Sequence, residues 1–493
     1  MRNRTTNQGS GAQIADLFLR CLGALFAVAF ASLAVQVDVL ISSTGLLPIE
    51  PFLDQLKDNS PETPYLKFPT LFWFDARDAW VNYGVWIGVI FALIATAGIQ
   101  PRIAIAICAV LYLSYATACR DFLYFQWDNL IIECGFLAVF LPRNKRSDWI
   151  HFLFRILLFK LYMESGIAKW QSHLQDWHDG SAMTYYYQTA PIPTALSWYF
   201  HHLPIRWHIL ESWLTLAFEL VVPLFIFAGR KLKLFAFVIF TAFQLINIAT
   251  ANYGFFSYTA LILHLFLLEE RDLRHLPLIV RAKLPSIAPP TVLYRWDKVI
   301  LVSLFTTLYL GISLGEGIER FGRAKNPAYG KTIDELKKQA RKLLEPARPY
   351  YRPFRIINTY HLFGHITRQR TEAQFEVLKD GIWTELAMNY KAGPIDRAPP
   401  LVAPHQPRVD FRLWFYGLSH RRGRPNYVRA ITKKLCKSPQ HLQSLFETPL
   451  SANYESVRIR YWDYTYSDPA TKDETGQWWQ RRENSPPRSF RCP

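Results

Sequence analysis

The chain has 493 residues, half of them hydrophobic, yet its mean hydropathy is only +0.02 and its formal net charge is +17. The charge is lopsided: from Arg320 onward 32 Lys and Arg face 16 Asp and Glu, a net +16 that leaves the preceding part nearly neutral. Such a tail suits anionic headgroups, an acidic partner or plain solvation, and with no nucleic-acid-binding module beside the charge, nucleic acid is set aside as a partner.

Apolar runs long enough to cross a bilayer crowd the chain up to Gly315. The clearest predicted spans are Leu17–Leu40, Ala79–Gly98, Trp207–Ala228, Leu232–Ala251, Phe255–Leu268 and Val299–Gly315. Ile103–Ala118, Asn129–Leu141 and Trp149–Ala168 are shorter or charged. Together they predict a mainly α protein, a polytopic helical membrane bundle of about eight or nine spans. Leu17–Leu40 lacks a small-residue cleavage site and reads as a retained span. With nine spans, one side collects the basic clusters at Arg2 and Arg4, at Arg143, Lys145 and Arg146, at Arg230, Lys231 and Lys233, and across Arg271–Lys298. The positive-inside rule makes that side cytoplasmic. Ile41–Trp80, with six acids and three bases, falls on the other side, together with the loop Trp170–Arg206 and the C-terminal domain.

Ionisable groups within the spans are costly and face a bundle interior, a cavity or a partner. Asp128 and Glu133 sit roughly 140° apart on a helix of 3.6 residues per turn, so they cannot share a face, whereas Asn129 and Glu133 can. The span beginning near Trp149 carries Arg155, Lys160, Glu164 and Lys169 among leucines and phenylalanines. Lys160 and Glu164, one turn apart, are expected to pair. For Asp128, Asn129, Glu133, Lys160 and Glu164 two readings stand: a polar functional site inside the bundle, or a network that fixes helix register. Lys169 reads either as a desolvated base or as a helix-end lysine snorkelling to headgroups beside Trp170.

The following loop is crowded with aromatics and histidines, residues that favour a membrane–water boundary. Trp170, Tyr185, Tyr186, Trp198, His201 and His202 are its candidate client-facing residues. His201, His202 and His208 lack a ligand spacing, so no metal site is expected. Gln244, Asn247 and Asn252 are expected to hydrogen-bond between helices.

The C-terminal third predicts a smaller β-rich α+β domain outside the membrane. Lys331–Leu344 is amphipathic, with Ile333, Leu336, Ala340 and Leu343 on one stripe, and Pro346, Pro349 and Pro353 break it. Phe375–Leu378 and Trp383–Leu386 flank Asp380-Gly381, a hairpin signal. Val457, Ile459 and Tyr461 alternate with Arg458, Arg460 and Trp462 as a half-buried strand, and a helix is expected from about Tyr427 to Phe446. Cys21, Cys108, Cys119 and Cys134 lie in or beside apolar runs. Cys436 and Cys492 form a bridge only if their compartment is oxidising. The predicted layout is a cytoplasmic tail over 1–16, a bundle over 17–320 with the aromatic loop at 170–206, an amphipathic helix and proline-rich linker over 321–353, and a basic domain over 354–493.

RDFLYFQWDNLIIECGFLA (Arg120–Ala138), SGIAKW, TYYYQTAPIPTALSWYFHHLP and VAPHQPRVDFRLWF closely resemble the lipase maturation factor family. So do SSTGLLPIEPFL, FPTLFWF, ATANYGFFSYTALI and GQWW, in the family's order from about residue 17 to about 480. The resemblance implies a multi-pass membrane protein with a C-terminal domain on the luminal or outer side. Its animal relatives reside in the endoplasmic reticulum and assist the folding and assembly of dimeric secreted lipases; a bacterial member would sit in the inner membrane. The family more often has a small residue where Glu164 stands. Gly166 to Lys169 also looks faintly like the lysine-bearing helix of vitamin K-dependent carboxylases, membrane enzymes in which a lysine acts as a base.

The reading is therefore a membrane-bound maturation or folding factor, with membrane lipids and a secreted lipase-like client as partners and no cofactor. His405, Gln406 and Arg408 of VAPHQPRVDF join the client-facing candidates. The alternative is a carboxylase-like membrane enzyme using Lys169 on a lipophilic substrate. Nothing resembles a nucleophile elbow or a Ser–His–Asp layout, so lipase activity in this chain itself is not expected.

Overall fold

The computed structural model describes residues 12–59, 63–142, 147–275, 296–322 and 327–493. Arg2, Arg4, the Arg143–Arg146 cluster and residues 276–295 lie outside the described residues. The long helices are, in order, α1 (Ala12–Ala34), α2 (Asp78–Thr96), α3 (Pro101–Ala118), α4 (Gln126–Ala138) and α5 (Asp148–Trp170). They continue with α6 (Ile205–Leu220), α7 (Arg230–Thr250), α8 (Phe256–Leu263), α9 (Trp296–Phe321) and α10 (Pro327–Leu344). Among the described residues six helices are long and apolar enough to cross a membrane: α1, α2, α3, α6 with its 3-10 extension, α7 and α9.

The periodicity of α2 shows how the bundle is written into the sequence. Val81, Val85, Gly88, Ala92 and Ala95 recur at three- and four-residue steps and are buried. Trp80, Tyr83, Trp86, Ile90 and Leu93 recur on the opposite face and are exposed, as a lipid-facing helix requires. Small residues let α1 and α2 close on each other: a Cβ on Gly88 would lie 2.6 Å from the Phe30 ring, and one on Gly23 2.7 Å from the backbone of Thr96.

Three predicted spans end differently from expectation. Leu17–Leu40 is two helices, because the helix stops at Ala34 and Gln36 takes a non-helical conformation before a short turn at Val37–Ile41. Trp207–Ala228 passes from α-helix into a 3-10 turn at Val222–Phe227, where Pro223 removes a backbone donor. Phe255–Leu268 likewise becomes 3-10 at His264–Leu267. In α10 the inward stripe is Ile333, Lys337, Ala340 and Leu344, whereas Leu336 and Leu343 point outward. That stripe lets α10 fold back along the end of α9, with Leu344 against Gly315 and Lys337 against Gly322.

The C-terminal domain is built on a four-stranded antiparallel sheet of order β2-β1-β3-β4, from β1 (Arg370–Lys379), β2 (Ile382–Leu386), β3 (Ser456–Tyr466) and β4 (Trp479–Arg491). Asp380 and Gly381 both have positive φ, 52° and 74°, the conformation a two-residue hairpin turn demands. Val457, Ile459 and Tyr461 pair with Val377, Phe375 and Ala373 and turn inward. Helix α11 (Arg408–Ser419) packs on β1, where Gly417 meets the Thr371 carbonyl too closely for any side chain. The expected helix from Tyr427 to Phe446 is split: α12 (Asn426–Lys437) stops at Ser438, and Pro439 opens a 3-10 turn. Cys436 and Cys492 are bridged, tying α12 to the end of β4.

Candidate functional site

The charges inside the bundle find their partners chiefly in the C-terminal half. Asp128, near the start of α4, is fully buried, and Arg408, the first residue of α11, reaches it from the other domain. Arg408 donates from Nη1 to Oδ2 at 2.8 Å and from Nη2 to Oδ1 at 2.9 Å, the two-pronged geometry that only a guanidinium supplies. Tyr112 donates to the same carboxylate at 2.6 Å and accepts from Arg408 at 3.0 Å. Gln36, at the break that ends α1, accepts the Arg408 amide at 2.9 Å and donates to the Gln406 carbonyl at 2.8 Å. Ser32, one turn earlier, bonds His405 Nδ1 at 2.9 Å and accepts the Gln406 amide at 3.0 Å.

A second junction centres on Glu133. Its carboxylate accepts from Lys160 at 3.2 Å and from Tyr309 at 2.6 Å. It also accepts the Asn358 amide at 3.1 Å, the Asn358 side chain at 2.9 Å and the Tyr360 hydroxyl at 2.7 Å. Five donors on one carboxylate use all its lone-pair directions. The expected Lys160–Glu164 pair gives way to this junction: Lys160 also donates to Ser313 at 3.2 Å, and Glu164 accepts the Tyr360 amide at 2.6 Å. Asn129 does not share a site with Glu133; its side-chain oxygen faces Arg355, which also bonds the carbonyls of Leu123 and Ala116 at 2.7 and 2.9 Å. The segment after α10 is thus held inside the mouth of the bundle.

The third junction is the Gly-x-x-Lys stretch. Lys169 does not snorkel. It is almost wholly buried and donates to both oxygens of Glu219 on α6, at 2.9 and 2.6 Å, and to the Leu362 carbonyl at 2.9 Å. Those three bonds occupy every ammonium donor. Gly166, one turn earlier, is where α5 and α6 touch: a Cβ there would lie 3.0 Å from the Glu219 backbone. The glycine brings the helices together at the point where the lysine needs its partner. A cavity of about 50 Å³ adjoins the pair, its wall including Tyr162, Tyr186, Gln244, Tyr253 and Ser257. Gln244 bonds Tyr162 between helices at 3.0 Å, as expected.

The aromatic loop is mostly a docking surface for the chain's own tail. Asn252 is no inter-helix bridge. It donates to the carbonyls of Ile192 and Pro400, at 3.2 and 2.8 Å, and accepts the amides of Val402 and Ala403, at 2.7 and 2.8 Å. Gly254, at φ 52°, lies against Gln406. Arg370 of β1 donates to the loop carbonyls of Ala190 and, at 2.9 Å, Pro191. Trp198 donates to the Ser467 carbonyl at 3.1 Å and packs on Trp478, with Lys472 over both rings. Tyr186 bonds Tyr253 at 2.8 Å.

Burial therefore removes Tyr186, Trp198, Gln406 and Arg408 from any outer surface, contrary to their expected client-facing role, and ties His405 to Ser32. Trp170 is 47% exposed, His202 is exposed, and Tyr185 is half-buried beneath Arg368. His201 is half-buried, and burial chiefly, with His202 and His208 nearby, lowers its pKa to about 4. His208 bonds Glu211 and the His201 carbonyl. Among the described residues no three His, Cys, Asp or Glu side chains converge as a metal would require. Several members of the seam were missed in the sequence. Glu219 had a usable signal, a carboxylate in the middle of a predicted span; Gln36, Tyr112, Tyr360 and Arg370 had none.

The stretches on the two sides of this seam belong to two family descriptions. A model described as lipase maturation factor transmembrane domain matches residues 13–275, and one described as lipase maturation factor C-terminal domain matches residues 356–487. Lipase maturation factor 2 of Rattus norvegicus is 28% identical over 577 aligned residues, covering 95% of this chain and 81% of the relative. Lipase maturation factor 2 of Homo sapiens is 27% identical, covering 95% and 81%. Lipase maturation factor 1 of Bos taurus is 26% identical, covering 95% and 87%. No solved structure matches. With both halves present in order, and with Asp128 in one and Arg408 in the other, this multi-pass membrane protein belongs to the lipase maturation factor family.

Proposed function

We propose that the protein assists the folding and assembly of a secreted, lipase-like client at the non-cytoplasmic face of its membrane. The observation that carries the reading is the match of nearly the whole chain, membrane and C-terminal parts alike, to relatives named lipase maturation factors. The Cys436–Cys492 bridge supports placing the C-terminal domain in an oxidising compartment, while the free cysteines all lie in or beside the bundle helices. Trp170, Tyr185 and His202 keep a place on the proposed client face, because burial has not claimed them. Aromatic side chains at such a surface suit recognition of partly folded apolar segments.

The test is complementation. A secreted lipase is expressed in cells stripped of their own maturation factors, with and without this chain. The expected result is recovery of active lipase at unchanged lipase synthesis. Equal activity in both cultures would sink the proposal. Thiol labelling of intact vesicles, with and without reductant, decides the side on which the C-terminal domain lies.

A further inference from the structure

Where α9 leaves the apolar zone, a cleft of two unlike compartments opens between the bundle and the C-terminal domain. The first, of about 350 Å³, is aromatic, with Trp127, Phe321, Phe363, Phe411, Trp414 and Phe415 in its wall. The second, of about 700 Å³, is polar; there Arg320, Lys337, Arg341, Arg352 and Arg355 outnumber Glu316 and Glu319. Phe125, Gln126, Arg320 and His361 belong to both, so the compartments are continuous.

The two carboxylates are already engaged. Glu316 accepts from Tyr351 and, at 2.7 Å, from Arg352, and Glu319 accepts from Arg348. Arg355 is spent on backbone carbonyls. Arg320 is bonded to His361 at 2.8 Å, and Arg341 stands 3.4 Å from Glu319 with most of its side chain exposed. Lys337 has no carboxylate partner among the described residues. Arg320, Lys337 and Arg341 therefore leave a cationic surplus beside an aromatic hollow.

The exposed apolar face of the membrane-length helix α9 leads to this point. Ile300, Leu301, Leu304, Leu308 and Leu314 form the exposed apolar face of α9, and Glu316 follows two residues later. We propose that the cleft is a binding site for one anionic membrane phospholipid, its phosphate among Arg320, Lys337 and Arg341 and an acyl chain in the aromatic compartment. The site does not depend on the client reading and would stand without it. A polypeptide occupant is the competing class, but the step from a lipid-facing helix into a cationic and then an aromatic pocket matches an amphiphile drawn from the adjoining leaflet.

The test uses the full chain in phosphatidylcholine vesicles doped with phosphatidylglycerol carrying a diazirine in its acyl chain. Photolabel is expected on peptides containing Phe125–Trp127 and Phe411–Phe415. At about 1 kcal/mol per basic residue near a lipid surface, labelling should fall roughly fivefold in Lys337→Gln and roughly thirtyfold when Arg341→Gln is added. Arg341 lies on the exposed side of α10 and Lys337 on the inward stripe against Gly322, so an unchanged thermal transition is required to verify folding. If the double variant unfolds, Lys337→Gln alone decides the charge dependence. The proposal is overturned if those peptides stay unlabelled, or if the phosphatidylcholine probe labels them equally. It also falls if both variants label like the parent, or if millimolar inorganic phosphate or an unfolded lipase chain displaces the probe while vesicles of unlabelled phosphatidylglycerol do not.

Discussion

Two ion pairs of similar enclosure, Asp128–Arg408 and Lys169–Glu219, join very different stretches of chain. The first links residues 280 apart and crosses from the bundle to the C-terminal domain; the second links residues 50 apart on neighbouring membrane helices. Arg408 is two-pronged and backed by Tyr112 and Gln36, so it fixes both the distance and the orientation of α11. Lys169 is a point charge whose reach depends on Gly166 letting α5 meet α6. Both leave a buried charge stranded if one partner is lost, so each is a constraint on architecture more than a net source of stability. What separates them is scale: one holds helices in register, the other holds a domain.

Arg408→Met should have the largest effect. It leaves the Asp128 carboxylate buried without its cation, at a cost of about 3–5 kcal/mol, and should expose the C-terminal domain to limited proteolysis while the membrane helices persist. Adding Asp128→Leu should restore most of the protection, because removing both charges ends the mismatch; failure to recover would show that the junction is not governed by the pair. Lys169→Met should cost about 3 kcal/mol by the same reasoning. Its effect should appear as weaker cysteine crosslinking between α5 and α6, with the domain still protected. If it released the domain as readily as Arg408→Met, the two pairs would not differ in what they hold. Gly166→Ala is expected to be milder, about 1–3 kcal/mol of overpacking, since its Cβ would meet Leu220 and the Glu219 backbone at 2.9 and 3.0 Å. A thermal transition equal to the parent's would mean that α5 and α6 have room to spare.

The smallest effect sharpens the seam through pH. Burial chiefly, with Arg408 adding to it, lowers the His405 pKa from 6.5 to about 4. The folded state therefore resists a proton that the unfolded chain accepts, so stability present above pH 6.5 is lost as pH falls toward 4. His201 acts in the same direction. Asp410 acts oppositely: burial raises it from 3.8 to about 6 despite amide bonds from Lys391 and Tyr390, so its contribution is present below pH 3.8 and lost as pH rises through 6. Between pH 6.5 and 6 the histidines stand alone, and below 6 Asp410 offsets part of their loss. Melting curves of the detergent-solubilised protein should fall on acidification from pH 7, and His405→Gln should flatten that fall; an unchanged slope would remove His405 from the seam.

The stretches that carry the family resemblance meet one another in space. Asp128 of the Arg120–Ala138 stretch meets Arg408 of VAPHQPRVDF. Asn252 and Gly254 of ATANYGFF hold Pro400–Gln406, and Trp198 packs on Trp478 of GQWW. None of these pairings has a local signature. Periodicity reports which face of a helix is apolar, so it marked the spans, the hairpin at Asp380-Gly381 and the strand through Tyr461. A buried charge announces only that it needs a partner. The nearest one in sequence, Glu164 for Lys160, was the wrong one, because Glu133 lay across the helix interface with four further donors already around it.

Membrane crossing, a sheet-based domain in the polar third and the motifs of the lipase maturation factors were all legible in the amino-acid order. These are matters of composition, local spacing and likeness, which need no knowledge of distant neighbours. That most of the aromatic loop and the VAPHQPRVDF stretch turn inward, and which carboxylate each buried cation serves, followed from long-range packing alone. Such choices are made between residues hundreds of positions apart, and the distances that settle them exist only once the chain has closed on itself.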